Sequence, residues 1–149
     1  MATWSGGARL LAARLVDTSN ILDLDLRDSV PSTWTQWGNQ ISFTNPGVDV
    51  AVMAWLGGRA YTNGSGKYTL MYRIEISHDN GANWSTGPEN WLTVEPSGVS
   101  GTDQKALFVM HRAQALPSGT VRVRAMVQSA GSTNIQLRTG HLMAQMTAV

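Results

Sequence analysis

Alternation of apolar and polar residues with period two dominates the chain. From Tyr68 to Ser77, Leu70, Tyr72, Ile74 and Ile76 share one parity, and Thr69, Met71, Arg73 and Glu75 share the other. Ile21 to Arg27 sets Leu22, Leu24 and Leu26 against Asp23, Asp25 and Arg27. Successive side chains of a strand point to opposite faces, so each pattern predicts a strand with one buried face. Further strands are predicted over Gln40–Thr44, Asp49–Thr62, Trp91–Val94, Ala106–Ala115, Thr120–Ser129 and Ile135–Thr147. Arg9–Asp17 is ambiguous, because LLAARL also suits a helical turn. Gly57-Gly58 lies inside the longest apolar run and predicts a bulge or bend. Eight or nine short strands between Gly, Pro, Ser, Thr and Asn clusters predict an all-β fold. Its expected form is a two-sheet antiparallel sandwich, jelly-roll-like. No repeat or low-complexity stretch divides the chain, which reads as a short N-terminal arm over 1–20 and a β-sandwich domain over 21–149.

Three runs break the alternation. VAVMAWL (Val50 to Leu56), ALFVM (Ala106 to Met110) and HLMAQMTAV at the C-terminus are apolar on both parities, apart from Gln145 and Thr147. The outer face of a strand in a two-layer antiparallel sandwich is normally polar. No clear helix is at hand to cover these faces. A second copy of the chain or a partner surface is one cover; loops or the N-terminal segment are the other. The residues read for contact between copies are Met53, Trp55, Phe108, Met110, Leu142, Met143 and Met146.

Composition sharpens this expectation. Charged residues make up only 14% of the 149 residues, against roughly 25% in an average soluble domain. A sparsely charged surface fits one that is partly covered. Eleven basic and ten acidic residues are mixed along the chain, without a basic run or tail. Binding to nucleic acid needs clustered cations, so it is not expected. The absence of cysteine excludes a disulfide framework, a thiolate metal site and a cysteine nucleophile. The N-terminus lacks a signal-peptide layout, since the apolar stretch Leu10 to Val16 is short and carries Arg14. No window approaches the roughly 18 apolar residues of a membrane span. The expectation is a soluble protein, not exported by a cleavable signal and without a membrane partner.

One stretch carries a motif. ISHDNGANW, Ile76 to Trp84, has the spacing Ser-x-Asp-x-Gly-x-x-Trp of the Asp-box, and so resembles the small hairpins repeated in sialidase propellers. The likeness covers eight residues. Hairpin closure explains each of them: Asp79 accepts backbone N–H groups, Gly81 supplies a positive φ and Trp84 starts the return strand. Ser77, Asp79, Gly81 and Trp84 are therefore read as a structural hairpin. Asp23 and Asp25 lack the acidic loop and extra oxygen ligands of a calcium site. His78, His111 and His141 have no zinc spacing. No serine lies in G-x-S-x-G, and Gly57 to Lys67 lacks the phosphate-loop pattern. No catalytic residue, metal or cofactor is expected, and the chain is not read as an enzyme. Six tryptophans remain. Trp34 and Trp37 fall in a loop-like segment, where they pack the end of the fold, anchor a protein interface or stack on sugar rings.

The whole chain resembles the small virion proteins of tailed phages. The features that carry this are a start at Met1-Ala2, no cysteine, little charge, Arg far above Lys, a short arm with Trp4, a jelly-roll strand series, the hairpin ISHDNGANW and the apolar ending LMAQMTAV. Head decoration (cement) proteins and small (minor) tail proteins of actinobacterial phages are most similar in this character. The strand series is also similar to trimeric jelly rolls of the tumour-necrosis-factor type, in which one sheet of each copy packs around a three-fold axis. The resemblance implies a homotrimer on the capsid exterior that binds the major capsid protein, with Trp4, Arg9 and Arg14 touching the shell. The alternative from another class is a carbohydrate-binding module that stacks a host-surface glycan on exposed Trp34 and Trp37.

Overall fold

The computed structural model describes residues 18–45, 47–62, 64–96, 104–115, 119–131 and 133–148. Trp4, Arg9, Arg14 and the ambiguous segment 9–17 lie outside them. The described residues form nine strands and no helix. They are β1 (Thr18–Leu24), β2 (Thr35–Thr44), β3 (Val50–Thr62), β4 (Tyr68–Ser77), β5 (Ser85–Thr86), β6 (Asn90–Val94), β7 (Lys105–Ala115), β8 (Thr120–Ala130) and β9 (Ile135–Ala148).

All strand pairs are antiparallel. A front sheet runs β1-β9-β3-β7, and a back sheet runs β2-β8-β4, with β5 and β6 both pairing to β4. The chain crosses between the layers at most connections, which gives the jelly-roll order. The fold is an all-β sandwich, as the alternation predicts. The two inner faces meet in one core. β4 supplies Leu70, Tyr72, Ile74 and Ile76, and β8 supplies Val121, Val123, Ala125 and Val127. From the front come Val50, Val52, Ala54 and Leu56 of β3 with Leu142, Ala144 and Met146 of β9.

The strand registers correct several expectations. β2 begins at Thr35 rather than Gln40, so Trp37 lies in a strand and not in a loop. The pairing of β2 with β8 shifts between Trp37 and Ile41, around Gly38 at φ 70°. That irregularity hides the strand from an alternation pattern. Leu24 is buried, but β1 ends there, and Leu26 turns outward instead of continuing the inner face. The Gly57-Gly58 irregularity appears where expected, as a register shift between β3 and β9. Its partner side carries Thr139 at φ 45° and Gly140. The bulge makes room for the Trp37 indole, which lies against Gly58 and Gly140 and donates its N–H to the Asp25 carbonyl at 2.7 Å.

Candidate functional site

The front sheet presents an apolar row to the outside. The pairing places Ile21 of β1 opposite Met143 of β9, Met143 opposite Trp55 of β3, and Trp55 opposite Met110 of β7. Residues paired across strands project from the same face. Phe108 stands two residues from Met110, and Met53 two from Trp55, on that face. Exposure is 62% at Ile21, 38% at Met143, 50% at Met110 and 64% at Phe108. The row therefore crosses all four strands without a charge. Polar groups flank it. At one end Asp23 meets His141 Nδ1 at 2.8 Å; at the other, Arg112 and Gln145 line a shallow depression with Met53, Ala51 and Thr147.

This arrangement sorts the residues read for contact between copies. Met53, Trp55, Phe108, Met110 and Met143 share the outer face. Leu142 and Met146 do not: both project into the core and are almost wholly buried. The run HLMAQM is apolar on both parities, so parity alone leaves its inner face unassigned. Ile21 was missed, although its place two residues before Asp23 puts it on the outward parity.

The back sheet has the opposite character. Glu75 projects outward near the C-terminal end of β4, yet it is only 3% exposed. Arg73 covers one carboxylate oxygen through Nε at 2.9 Å and Nη2 at 2.6 Å. Arg124 of β8 covers the other through Nε at 2.8 Å and Nη2 at 2.6 Å. Each guanidinium also lies on an indole, Arg73 over Trp34 at 3.9 Å and Arg124 over Trp84 at 3.8 Å. The result is a ladder Trp34–Arg73–Glu75–Arg124–Trp84 that covers the Glu75 region of this face with the chain's own side chains. Cation–π stacking and charge-assisted hydrogen bonds both hold it. A further step leads to the edge, where Glu89 approaches Arg73 at 3.9 Å and accepts the indole N–H of Trp91 at 2.9 Å.

The hairpin motif adjoins this ladder. Ser77 Oγ donates to Asp79 Oδ1 at 2.8 Å and accepts the Gly81 N–H at 2.8 Å. Asp79 Oδ1 accepts the Asn83 N–H at 2.8 Å, and Oδ2 accepts the Asn83 side-chain amide at 2.6 Å. Asn80 and Gly81 take φ of 62° and 91°. The Asn83 backbone and side-chain bonds, followed by that from Ser77, hold the Asp79 pKa down at about 2. Trp84 then stacks on Arg124, which ties the turn to the sheet. The Ser77 hydroxyl and both Asp79 carboxylate oxygens are engaged inside the turn.

The remaining sequence candidates are dispersed. Trp37 is enclosed in the core, so it offers no surface to a sugar; Trp34 is half-buried beneath Arg73. His111 faces the gap between β7 and the loop after β5, where burial pushes its pKa below the usual value. Its Nε2 has no hydrogen-bond partner among the described residues. Among the described residues, no group of three or more His, Asp or Glu is placed to hold a metal. No helix of the described residues is long and apolar enough to cross a membrane.

Neither a protein-family model nor a curated protein matches the sequence. Solved structures show distant likenesses. Eiger TNF from S. frugiperda is 6% identical, with a TM-score of 0.43 over 85% of this chain and 94% of that one. A chain of infectious bursal disease virus, Gx strain, is 10% identical with a TM-score of 0.41 over 87% of this chain; the match spans 33% of the viral chain. A pentameric capsid protein isolated from metagenomic phage sequences is 14% identical, with a TM-score of 0.31 over 97% of this chain and 74% of that one. Carbohydrate-binding modules are also among the similar structures. These are distant likenesses of overall shape.

Proposed function

We propose that the chain is a virion structural protein of a tailed phage, a capsid decoration protein that assembles as a homotrimer through its front sheet. The observation that carries self-association is the row Ile21–Met143–Trp55–Met110, with Phe108 and Met53 beside it. An uncharged row across a whole sheet face has a strong reason to leave water. A second and third copy bring identical rows to a common axis, with Trp55 and Met143 at the centre. The back sheet then remains at the outside of the trimer.

The capsid as target rests on the overall sequence character, with Trp4, Arg9 and Arg14 as shell contacts. A minor tail protein is the neighbouring reading within the same class. Stabilisation of the shell follows from mass action, because a ligand that binds only the assembled lattice lowers its free energy. No catalysis is part of this reading. The test is co-sedimentation of the purified protein with undecorated capsids of the phage that encodes it. Saturable binding and a higher shell-disruption temperature are expected, and both should be lost on deletion of residues 1–20. Absence of binding by the full chain sinks the decoration role.

A further inference from the structure

We propose that the back sheet carries a second site, an indole platform at Trp91 that binds pyranose units of a neutral polysaccharide. The structure separates Trp91 from the other described tryptophans. Trp37 is a core residue, Trp55 belongs to the apolar row, and Trp34 and Trp84 each carry a guanidinium on the ring. Trp91 is 67% exposed, on the short strand β6 at the rim of the back sheet.

The ring is also held. Its N–H donates to Glu89, Glu89 faces Arg73, and Arg73 is fixed between Trp34 and the buried Glu75. Such a chain of contacts reduces the ordering entropy lost when a ligand settles on the ring. A pyranose has one face of C–H groups and a rim of hydroxyls. The C–H face suits the electron-rich face of an indole, and the hydroxyls need donors and acceptors around it. The surroundings provide both. Met71 lies opposite Trp91 on β4, and Gln128 opposite Met71 on β8, so the row widens from indole to thioether to amide. Gln128 donates its amide N–H to the Ser32 carbonyl at 2.6 Å, which leaves its side-chain oxygen to accept. Thr93 is exposed on the same parity of β6, and Glu89, which accepts the ring N–H, faces Arg73 on its other side.

A protein partner fits this place less well. The core of a protein interface is a contiguous apolar patch with few charges, and that description belongs to the front row. An exposed indole bonded to a carboxylate, with a hydroxyl on its own strand and a thioether and then an amide across the sheet, has the mixed character of a sugar subsite.

The test is native affinity electrophoresis of the full chain through gels containing soluble xylan, galactan, β-glucan, mannan or dextran. Retardation by at least one of them is expected. Trp91→Ala should weaken it about ten-fold or more, and Trp91→Phe should retain part of it. An unchanged circular dichroism spectrum shows that each variant is folded. Equal retardation of the wild type and Trp91→Ala overturns the site. So does free migration of the wild type in all five gels, or Trp91-dependent binding to the capsid protein alone. Trimer assembly and capsid binding of Trp91→Ala should stay unchanged, which separates this site from the front-sheet reading.

Discussion

Two neighbouring residues of β9 test the assignment of its faces. Leu142 projects inward, in register with Leu22 of β1 and Leu56 of β3, and is fully buried. Leu142→Ala removes three carbons, worth roughly 2 kcal/mol of transfer free energy. The flanking strands are pinned by ladder hydrogen bonds, so the cavity collapses only in part and adds roughly 1–2 kcal/mol. The expected cost is therefore about 3–4 kcal/mol, a large share of the roughly 5–15 kcal/mol that holds a domain together. Met143 projects outward, and Met143→Ala should cost a single copy less than about 1 kcal/mol. Its effect should fall on association, where closing its remaining exposure is worth roughly 1 kcal/mol per copy. Urea denaturation at low and high protein concentration separates the two terms, because only association makes the midpoint depend on concentration. If Leu142→Ala costs less than about 1 kcal/mol and dissociates the protein, the inner and outer faces have been assigned the wrong way round. Equal destabilisation by both variants at the lowest concentration contradicts the assignment as well.

Other consequences are open to direct measurement. Glu75→Ala leaves two guanidinium groups without their shared carboxylate; because both side chains retain some exposure, the loss should be about 2 kcal/mol, read as a lower urea midpoint. Gly58→Ala would set a Cβ 2.7 Å from the Trp37 ring, so overpacking should cost about 1–3 kcal/mol in the same assay. Two pH windows follow from the shifted groups. The depressed His111 pKa means that the unfolded chain takes up a proton first, so stability is full above about 6.5 and falls as pH drops below it; His111→Gln should flatten the thermal midpoint in that range. Asp79, lowered from 3.8 to about 2, contributes above pH 3.8 and loses its contribution as pH falls towards 2; Asp79→Asn should remove that acid dependence.

The fold was legible because its signal is local. β4 follows the pattern Leu70, Tyr72, Ile74, Ile76 without interruption, and its predicted ends coincide with the observed ones. β2 was read short because Gly38 and the register shift break the alternation. That break also made Trp37 look like a loop residue, although its ring fills the space beneath the β3–β9 bulge. The outer row was legible only in part. In β9 both parities are apolar, and only the register with β1 and β3 shows that Met143 faces out while Leu142 and Met146 face in. The Glu75 ladder left no such trace. Arg73, Glu75 and Arg124 look like ordinary exposed charges of two strands, and their convergence depends on the pairing of β4 with β8. Trp34 and Trp84 join them from loops whose paths no period describes.

The central claim is that the front row is covered by further copies of the same chain. Light scattering coupled to size exclusion measures this most directly, at about 10–50 µM protein, well above the dissociation constant of a standard interface. The predicted mass is three times the 16.1 kDa of one chain, and Trp55→Arg should reduce it to that of one folded copy. A wild-type protein that elutes with the mass of one chain across this range contradicts the account.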